Sequence, residues 1–202
     1  ILTEVPEMFG AETLLMNRCA NRELFDETVS LINDFKQYFK DNHQTIYENP
    51  SPGNKKGGIS TLEDKSLGCT QKSGSAPVCG VLSYGECVKT SGLNLLSAPG
   101  NDLVAATALA ASGAHIVLFT TGRGTPFASP VPTVKISSNS TLAGKKKNWI
   151  DFNAGVLVED AELDTVGQQL FDYVIDVASG RKVCSEEAGF HDMAIFKQGV
   201  TL

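Results

Sequence analysis

The sequence predicts an α/β protein in which a Rossmann-like, parallel-containing sheet is flanked by helices within a single domain. Three observations carry this prediction: a short apolar strand, then an alanine-rich helix, then a continuous apolar strand. They occupy residues 93–97, 103–112 and 116–121. A strand–helix–strand succession with this spacing is typical of two parallel strands joined by a crossover helix.

Each element of this βαβ unit carries its own signal. Residues 99–102 (PGND) form a turn that also supplies a helix cap, and Gly113 ends the helix. The strand over 116–121 is continuously apolar, as expected for a strand buried on both faces. Residues 133–137 alternate like a further strand. Ligands of such sheets bind beyond the carboxyl ends of the strands, where the turns at 99–102 and 122–126 lie.

Amphipathic helices are predicted near both ends of the chain. In the first 40 residues, which we expect to be helical, apolar side chains recur at steps of three and four: Phe25, Val29, Ile32, Phe35 and Phe39. A second apolar stripe predicts a helix over about residues 164–179. Asp164 is its expected N-cap, and Gly180 is expected just past its end.

Length and composition bound the class of protein. With 202 residues, 42% of them hydrophobic and 20% charged, the chain can bury a core and is neither disordered nor fibrous. No apolar run reaches the length of a membrane span. The first residue, Ile1, suggests a chain processed or cut from a longer one. We expect one domain with a helical lead-in over 1–45, an α/β core over 46–160, and a helix and tail over 161–202.

The spacing of the cysteines and histidines predicts no metal site. The five cysteines form no C-x-x-C pair, which argues against both a zinc ribbon and a disulfide framework. Reduced thiols in a cytosolic protein are therefore the simplest expectation. The three histidines, His43, His115 and His191, are scattered along the chain, so their spacing predicts no ligand set.

Charge is distributed unevenly along the chain. Residues 51–150 carry a net charge of +6, whereas the two flanks together carry −12. The run over 103–150 contains no acid and includes Arg123, Lys135 and the lysines at 145–147. Charge alone leaves two explanations open, a solvated basic face or a region that meets an anion. The overall pI near 5.1 argues against a nucleic-acid partner.

Residues 49–58 contain two prolines and three glycines. This composition predicts a shaped loop rather than a helix or a central strand. Long loops in compact domains are usually functional or disordered, and here we favour a functional loop. The loop lacks the Gly-Lys-Ser/Thr ending of a phosphate-binding P-loop, so that class of site is excluded.

Polar residues follow the predicted strand at 116–121. Thr120, Thr121 and Arg123 stand beside glycines, where backbone N–H groups can approach a ligand and a guanidinium can match a carboxylate. The alternative is that Arg123 pairs with a neighbouring acid and the glycines merely turn the chain. Asp102 has a similar alternative, because aspartate at that position commonly serves as a helix cap.

Several motifs follow one another along the whole chain. They are PEMFGAE at 6–12, NPSPGNK at 49–55, EDKSLG at 63–68, PGND at 99–102, TTGRGTP at 120–126, Lys135-Ile136, Asn139, WIDF at 149–152 and GVTL at 199–202. In this order they resemble the carboxyl-terminal part of the galactarate and altronate dehydratase family. The segments YENP at 47–50 and DKSLGCTQK at 64–72 resemble the galactarate-specific members rather than the altronate-specific ones.

The resemblance implies a bacterial, cytoplasmic hydro-lyase that depends on ferrous iron. Its reaction would convert meso-galactarate to 5-dehydro-4-deoxy-D-glucarate, with altronate or a related sugar acid as the alternative substrate. The chain would be the carboxyl-terminal domain of that enzyme. Its partners would be the sugar diacid and the upstream domains, with neither nucleic acid nor membrane, and a homodimer is left open. Because upstream residues can supply metal ligands or the base, we expect the isolated chain to be weakly active or inactive.

The implied chemistry assigns catalytic roles. A base removes the proton beside a carboxylate, and the resulting enediolate must be stabilised by a metal or by cationic side chains. We expect Lys65 to transfer the proton, because a lysine beside a carboxylate can act as a base if desolvation lowers its pKa. Asp102 or Asp151 is expected to orient Lys65. The metal ligands are not predicted.

A sugar diacid needs two cationic anchors. We expect Arg123, with Thr120 and Thr121, to hold one carboxylate, and Lys135 or Lys72 to help hold the other. Further substrate contacts are expected from two asparagines in the motifs: Asn54 and Asn139. The competing class is a non-catalytic, Rossmann-like ligand-binding or oligomerisation module.

Overall fold

The structure is a computed structural model that describes residues 1–46 and 50–199. Its contacts divide the chain into two compact units. The first unit comprises Ile1–Ser112 together with the residues from Ile195 onward, and the second comprises Gly113–Ala194. Both units contain parallel strands with helices beside them. The predicted α/β class is therefore confirmed.

The sheet of the first unit is built on two parallel strands, β1 (Val78–Leu82) and β2 (Leu93–Leu96). The N-terminal segment runs beside β2: the N–H of Leu2 donates to the Asn94 carbonyl at 2.9 Å, and the N–H of Val5 donates to the Ala98 carbonyl at 3.0 Å. This pairing carries residues 2–5 to the carboxyl end of β2.

The first unit also contains helices, and the longest of them packs against β1. The helices are α1 (Thr13–Met16), α2 (Arg22–Asp41), α3 (Pro52–Lys56), α4 (Leu62–Gln71) and α5 (Asp102–Ala111), with a 3₁₀ turn at Val5–Met8. The expected apolar stripe of α2 is confirmed at Ile32 and Phe35, which are buried in the main core. The expectation of helix throughout residues 1–40 is wrong for part of the stretch before α2, because Leu2 pairs with β2 and because Glu4 and Gly10 have positive φ values of 63° and 87°.

The proline-rich segment is not a loop throughout. Pro52 begins α3, where the first turn needs no backbone N–H donor, and the Ser51 hydroxyl caps the helix by accepting from the Asn54 N–H at 3.4 Å. The exclusion of a helix here is therefore wrong for Pro52–Lys56. Residues 47–49, where the predicted loop begins and part of the family resemblance falls, lie outside the described residues, as do residues 200–202.

The second unit holds three parallel strands in the order β3 (Val117–Thr121), β4 (Thr133–Ser137) and β5 (Phe152–Asn153). Every residue of the central strand β4 is buried. The expectation that β3 is buried on both faces is wrong, because Leu118 is 52% exposed. Its helices are α6 (Ser140–Lys145), α7 (Leu163–Ala178) and α8 (Cys184–Glu187), with a 3₁₀ turn at Ala154–Val158. Val177 of α7 packs on the core of β4.

The predicted elements form, but the predicted βαβ pairing does not. Strand β2 pairs with β1, and β3 pairs with β4, so the two ends of the expected unit belong to different sheets. The helix α7 lies within one residue of its predicted bounds, and Gly180 just past it has the expected positive φ of 106°. Glu162, not Asp164, occupies the N-cap position of α7.

The C-terminal residues return to the first unit. The ring of Phe196 stacks on Phe35 at 6.4 Å between centroids and meets Tyr38 and Tyr84 edge-on. The N–H of Gly199 donates to the Tyr38 hydroxyl at 2.9 Å. Among the described residues, no helix is long and apolar enough to cross a membrane.

Candidate active site

Titratable side chains gather at the carboxyl end of β2. The extended N-terminal segment leads to Glu4, and the 3₁₀ turn that follows packs against α4. Helix α5 begins at the same end, at Asp102. Gly100 lies in the turn that precedes this helix, and a Cβ built there would be in ordinary van der Waals contact with Glu7, 3.5 Å from its Oε1. The cluster of titratable side chains therefore lies at a strand end, beside the turn at 99–102 that the sequence analysis singled out.

Glu7 is the centre of this cluster. Its Oε2 lies 2.9 Å from Nζ of Lys65, and the Cys69 thiol donates to the same oxygen at 3.4 Å. Lys65 and Cys69 are four residues apart on α4, so they share one face of the helix. The side chains of Lys65 and Glu7 are only 22% and 14% exposed, which shields their ion pair from solvent.

The ion pair fixes the charge of Lys65. Burial alone would lower the pKa of Lys65, but the hydrogen bond to Glu7 and the charge of that carboxylate outweigh burial and raise it. Lys65 therefore stays cationic near neutral pH. A permanent cation is better suited to stabilising negative charge than to accepting a proton.

Glu4 is the titratable group that the sequence analysis missed. Burial raises the pKa of Glu4 to about 7, and the negative charges of Glu7 and Asp102 act in the same direction, against Lys72 and Lys65. Its backbone has φ 63° and ψ 62°, a left-handed conformation that is uncommon for a residue with a side chain. In the sequence, only the position of Glu4 just before the motif at 6–12 could have indicated that it belongs to the site.

Asp102 and Lys72 complete the cluster. Asn101, not Asp102, caps α5, because its side chain accepts from the Val104 N–H at 3.2 Å. The Asp102 carboxylate is therefore not used as the cap. Burial raises its pKa, and Glu7 adds to this, whereas Lys65 and Lys72 oppose it. Lys72 is exposed and follows the last residue of α4.

The thiol of Cys69 stays protonated. Its pKa rises to about 11, mainly because the group is buried, although Lys72 opposes the rise. Near neutral pH the cluster thus offers a half-titrated carboxyl at Glu4, the shielded pair of Lys65 with Glu7, and an exposed cation at Lys72. This combination can bind an anion and move a proton beside it.

The predicted residues of the second unit form a turn after β3. The Thr121 hydroxyl accepts from the Gly124 N–H at 2.9 Å and closes this turn. Asn139 caps α6 by accepting from the Leu142 N–H at 2.8 Å, and its amide donates to the Gly122 carbonyl at 3.0 Å. These two side chains therefore serve the backbone locally.

Two further predicted binding residues lie at the surface of the second unit. Thr120 and Arg123 are exposed, and the side chain of Arg123 makes no ion pair with the residues that the structure describes. The alternative in which Arg123 pairs with a neighbouring acid is not supported. Asn54 belongs to the first unit, where it lies half-buried in α3.

Lys135 and Asp151 have structural contacts. Lys135 is 1% exposed, its Nζ donates to the Thr125 carbonyl at 2.6 Å, and burial lowers its pKa although Asp151 opposes this. Asp151 accepts from the N–H groups of Lys135 and Cys184 at 2.7 and 2.8 Å. The two residues thereby tie β4 to the start of α8. Their roles in binding and in orienting Lys65 stay predictions, and Asp151 and Lys65 belong to different units.

The expected iron has no ligand set in the described part of the chain. Within residues 1–46 and 50–199, no group of three or more His, Cys, Asp or Glu side chains could hold a metal ion. The residues present here therefore do not by themselves fit the cofactor, and no step below depends on it.

The fold is of the α/β class, and the cluster of Glu4, Glu7, Lys65 and Asp102 groups titratable side chains whose pKa values are shifted by one another. Comparison with known proteins gives the family. The model described as "D-galactarate/Altronate dehydratase, C-terminal" matches residues 1–201, and the chain belongs to this family. The resemblance found in the motifs is thereby confirmed.

Similar proteins include two altronate dehydratases. The chain is 64% identical to the protein from Bacillus subtilis and 60% identical to the one from Escherichia coli, in each case over 100% of this chain and 41% of the relative. It is 36% identical to the galactarate dehydratase (L-threo-forming) of Escherichia coli over 97% of this chain and 38% of the relative. The chain thus spans about two fifths of the length of these relatives.

Proposed function

We propose that this chain is the carboxyl-terminal part of a hydro-lyase that dehydrates altronate. The family assignment supports a sugar-acid dehydratase. Identities of 64% and 60% to altronate dehydratases, against 36% to a galactarate dehydratase, favour altronate over the galactarate expected from the motifs. The ferrous iron, the upstream domains and the cytoplasmic location stay predictions.

The chemistry of the two substrates adds a second argument. Galactarate carries a carboxylate at both ends, whereas altronate carries one. Lys135, expected to help hold a second carboxylate, is buried and donates to the Thr125 carbonyl instead. One anion site beside the exposed Lys72 is sufficient for a monoacid.

The observation that carries the proposed mechanism is the cluster of Glu4, Glu7 and Lys65. Glu4 as carboxylate takes the proton from the carbon beside the substrate carboxylate, since its pKa of about 7 suits proton transfer near neutral pH. Lys65, held cationic by Glu7, faces the negative charge that develops on that carboxylate. The proton on Glu4 then passes to the departing hydroxyl, so the carbon skeleton loses one water and the enol becomes a ketone.

The test uses the longest natural form of the protein that contains this chain, purified with ferrous iron supplied. Formation of the 2-keto-3-deoxy acid is followed with D-altronate and with meso-galactarate as separate substrates. We expect kcat/KM to be at least about tenfold higher for altronate, which corresponds to roughly 1.4 kcal/mol of transition-state discrimination. A higher value for galactarate would overturn the substrate assignment, and turnover of neither acid would overturn the activity.

A further inference from the structure

The segment that follows α4 and Lys72 contains no large apolar side chain. It spans residues 73–77 (SGSAP) and leads directly into β1. Within it only Ser73 is partly buried, and the other four residues are exposed. A segment of this composition gains little from burial to offset the entropy that is lost when it is ordered. Its conformation, and with it the end of α4 that carries Lys72, therefore depends on polar contacts.

The guanidinium of Arg18 makes most of these contacts. It donates to the carbonyls of Gly74 and Ala76, the latter at 3.3 Å, and to the Ser73 hydroxyl at 2.7 Å. Its Nε donates to the Leu14 carbonyl at 3.0 Å, which ties the guanidinium to α1. The planar, permanently charged fork of arginine can bond several acceptors at once in a fixed geometry.

The backbone of Arg18 is itself anchored to the first strand. Its carbonyl accepts from the Val78 N–H at 2.8 Å, and the Ala20 N–H donates to the Val78 carbonyl at 3.0 Å. Arg18 thus lies beside the start of β1, and its side chain reaches back over the segment that precedes the strand. The segment 73–76 is therefore held against a fixed part of the first unit.

One of the Arg18 contacts continues to the end of α4. The Ser73 hydroxyl, which accepts from Arg18, donates to the Thr70 carbonyl at 2.6 Å. The last carbonyls of a helix have no partner within the helix, and bonds to them limit fraying of its final turn. Lys72 is the C-cap residue of α4. The link through Ser73 therefore holds the backbone from which the Lys72 side chain extends.

Lys72 is the exposed cation of the cluster. Its charge opposes the rise in the pKa values of Glu4, Asp102 and Cys69, so it reaches all three groups. Arg18 is not among the main causes of these shifts, so its influence on the site runs through the segment that it binds. We propose that Arg18 is a positioning residue, which places Lys72 beside the substrate carboxylate by fixing the segment 73–76. This inference rests on the proposed anion site beside Lys72.

The test measures dehydration kinetics of the longest natural form that contains this chain, with whichever of altronate and galactarate the unchanged enzyme turns over. Arg18→Lys keeps the charge but loses the fork, and it is expected to raise KM by about fivefold with kcat nearly unchanged. A merely structural role would reduce the amount of folded enzyme and hence the apparent kcat, because KM does not depend on enzyme concentration. Arg22→Lys, at an exposed arginine of α2 that pairs with Asp26, is the matched control and should change neither constant.

A double-mutant cycle tests whether Arg18 acts through Lys72. Lys72→Met is expected to raise KM by about tenfold, and Arg18→Lys should then add less than about twofold. Ser73→Ala removes the link to α4 without touching Arg18. It should raise KM less than Arg18→Lys does and should also add little once Lys72 is methionine. Effects of Arg18→Lys that are the same with and without Lys72, or an unchanged KM, would overturn the proposal.

The pH profile gives a second readout. Of the charges around Glu4, Lys72 and Lys65 oppose its raised pKa, whereas Glu7 and Asp102 add to it. Displacement of Lys72 therefore raises the pKa of Glu4 further, and the limb of kcat/KM near pH 7 should move to higher pH in the arginine-to-lysine variant. Turnover in which this limb stays in place would overturn only the role of the arginine. An unchanged enzyme that dehydrates neither acid would overturn the proposed function, and the inference with it.

Discussion

Each unit contains a lysine that is largely shielded from solvent, but the pKa values of the two lysines are shifted in opposite directions. Lys65 pairs with the Glu7 carboxylate at 2.9 Å, and its pKa is raised against the effect of burial. Lys135 donates to the neutral carbonyl of Thr125 at 2.6 Å, and burial lowers its pKa. The comparison shows that the charge of the hydrogen-bond partner, more than the depth of burial, determines the direction in which the pKa of a shielded lysine shifts.

The predicted site residues of the two units also differ in what they contact. In the first unit, Lys65 and Asp102 belong to a cluster whose members perturb one another, as is typical of functional sites. In the second unit, Asn139 and Asp151 satisfy backbone groups of the chain itself. We therefore expect changes in the first unit to alter catalysis and changes in the second to alter stability.

The largest effect is expected from Glu4→Gln. Replacing the half-titrated carboxyl with an amide removes the proton acceptor, so kcat should fall by roughly 10²–10⁴-fold, and the pH–rate limb near 7 should disappear. The assay follows sugar-acid dehydration by the longest form that contains this chain. Glu23→Gln, an exposed carboxyl at the start of α2, is the control that should keep full activity. Full turnover by Glu4→Gln would place the base elsewhere.

Replacing each of the two lysines with methionine should lower the free energy of unfolding by different amounts. Lys65→Met leaves the Glu7 carboxylate without its cation, which should cost about 1–3 kcal/mol of the free energy of unfolding. Lys135→Met also leaves a carbonyl unpaired but removes a buried charge, so its cost should be smaller. Urea unfolding at neutral pH measures both. If Lys135→Met lost more free energy of unfolding than Lys65→Met, this prediction would be wrong.

The two lysines should also give opposite pH dependence. The raised pKa of Lys65 contributes stability that is fully present below the ordinary pKa of 10.5 and is lost as the pH rises through the higher folded value. Because the pKa of Lys135 is lowered by folding, the unfolded chain binds more protons than the folded chain between the folded pKa and 10.5. The contribution of Lys135 to the free energy of unfolding therefore increases as the pH rises toward 10.5. Free energies of unfolding from pH 8 to 11, compared between the unchanged chain and each methionine variant, should differ with opposite slopes.

The smallest effects are expected at helix caps. Thr61→Ala removes the hydroxyl that accepts from the Asp64 N–H at 3.1 Å at the start of α4, and it should cost about 1 kcal/mol. Asn139→Ala removes both the cap of α6 and the bond to the Gly122 carbonyl, and should cost about 1–2 kcal/mol. Thermal unfolding measures both losses. If Asn139→Ala left stability unchanged but abolished substrate binding, its predicted contact with substrate would be supported instead.

Local patterns made much of the fold predictable. The apolar run of β3, the alanine-rich α5 and the stripe of α7 each lie where the sequence predicts them, because their periodicity is complete within a few turns or residues. Strand β1 was missed, since the stretch VCGVL contains a glycine in its middle. That glycine is needed because a Cβ on Gly80 would clash with Oδ1 of Asn94 on the neighbouring strand.

Pairing and electrostatics were the parts that the sequence did not reveal. Which strand adjoins β2 depends on residues beyond its own neighbourhood, including Leu2, which is bridged to Leu95. Lys65 and Asp102 were predicted from motifs, but Glu4 was not. Its pKa is raised first by burial, then by Glu7 three residues away and by Asp102 about a hundred residues away along the chain. The sequence shows Glu7 as a neighbour, but no local pattern records the burial or the position of Asp102.

The return of the C-terminal residues to the first unit makes the second unit an insertion. The chain leaves the first unit after Ser112 and re-enters it at Ile195, and the bond between Gly199 and Tyr38 joins residues 161 positions apart. During synthesis, the aromatic contacts of Phe35 and Tyr38 with Phe196 therefore have to wait until the whole second unit has left the ribosome. Contacts of such long sequence separation slow folding. The second unit, whose residues are contiguous, can fold first as the chain emerges.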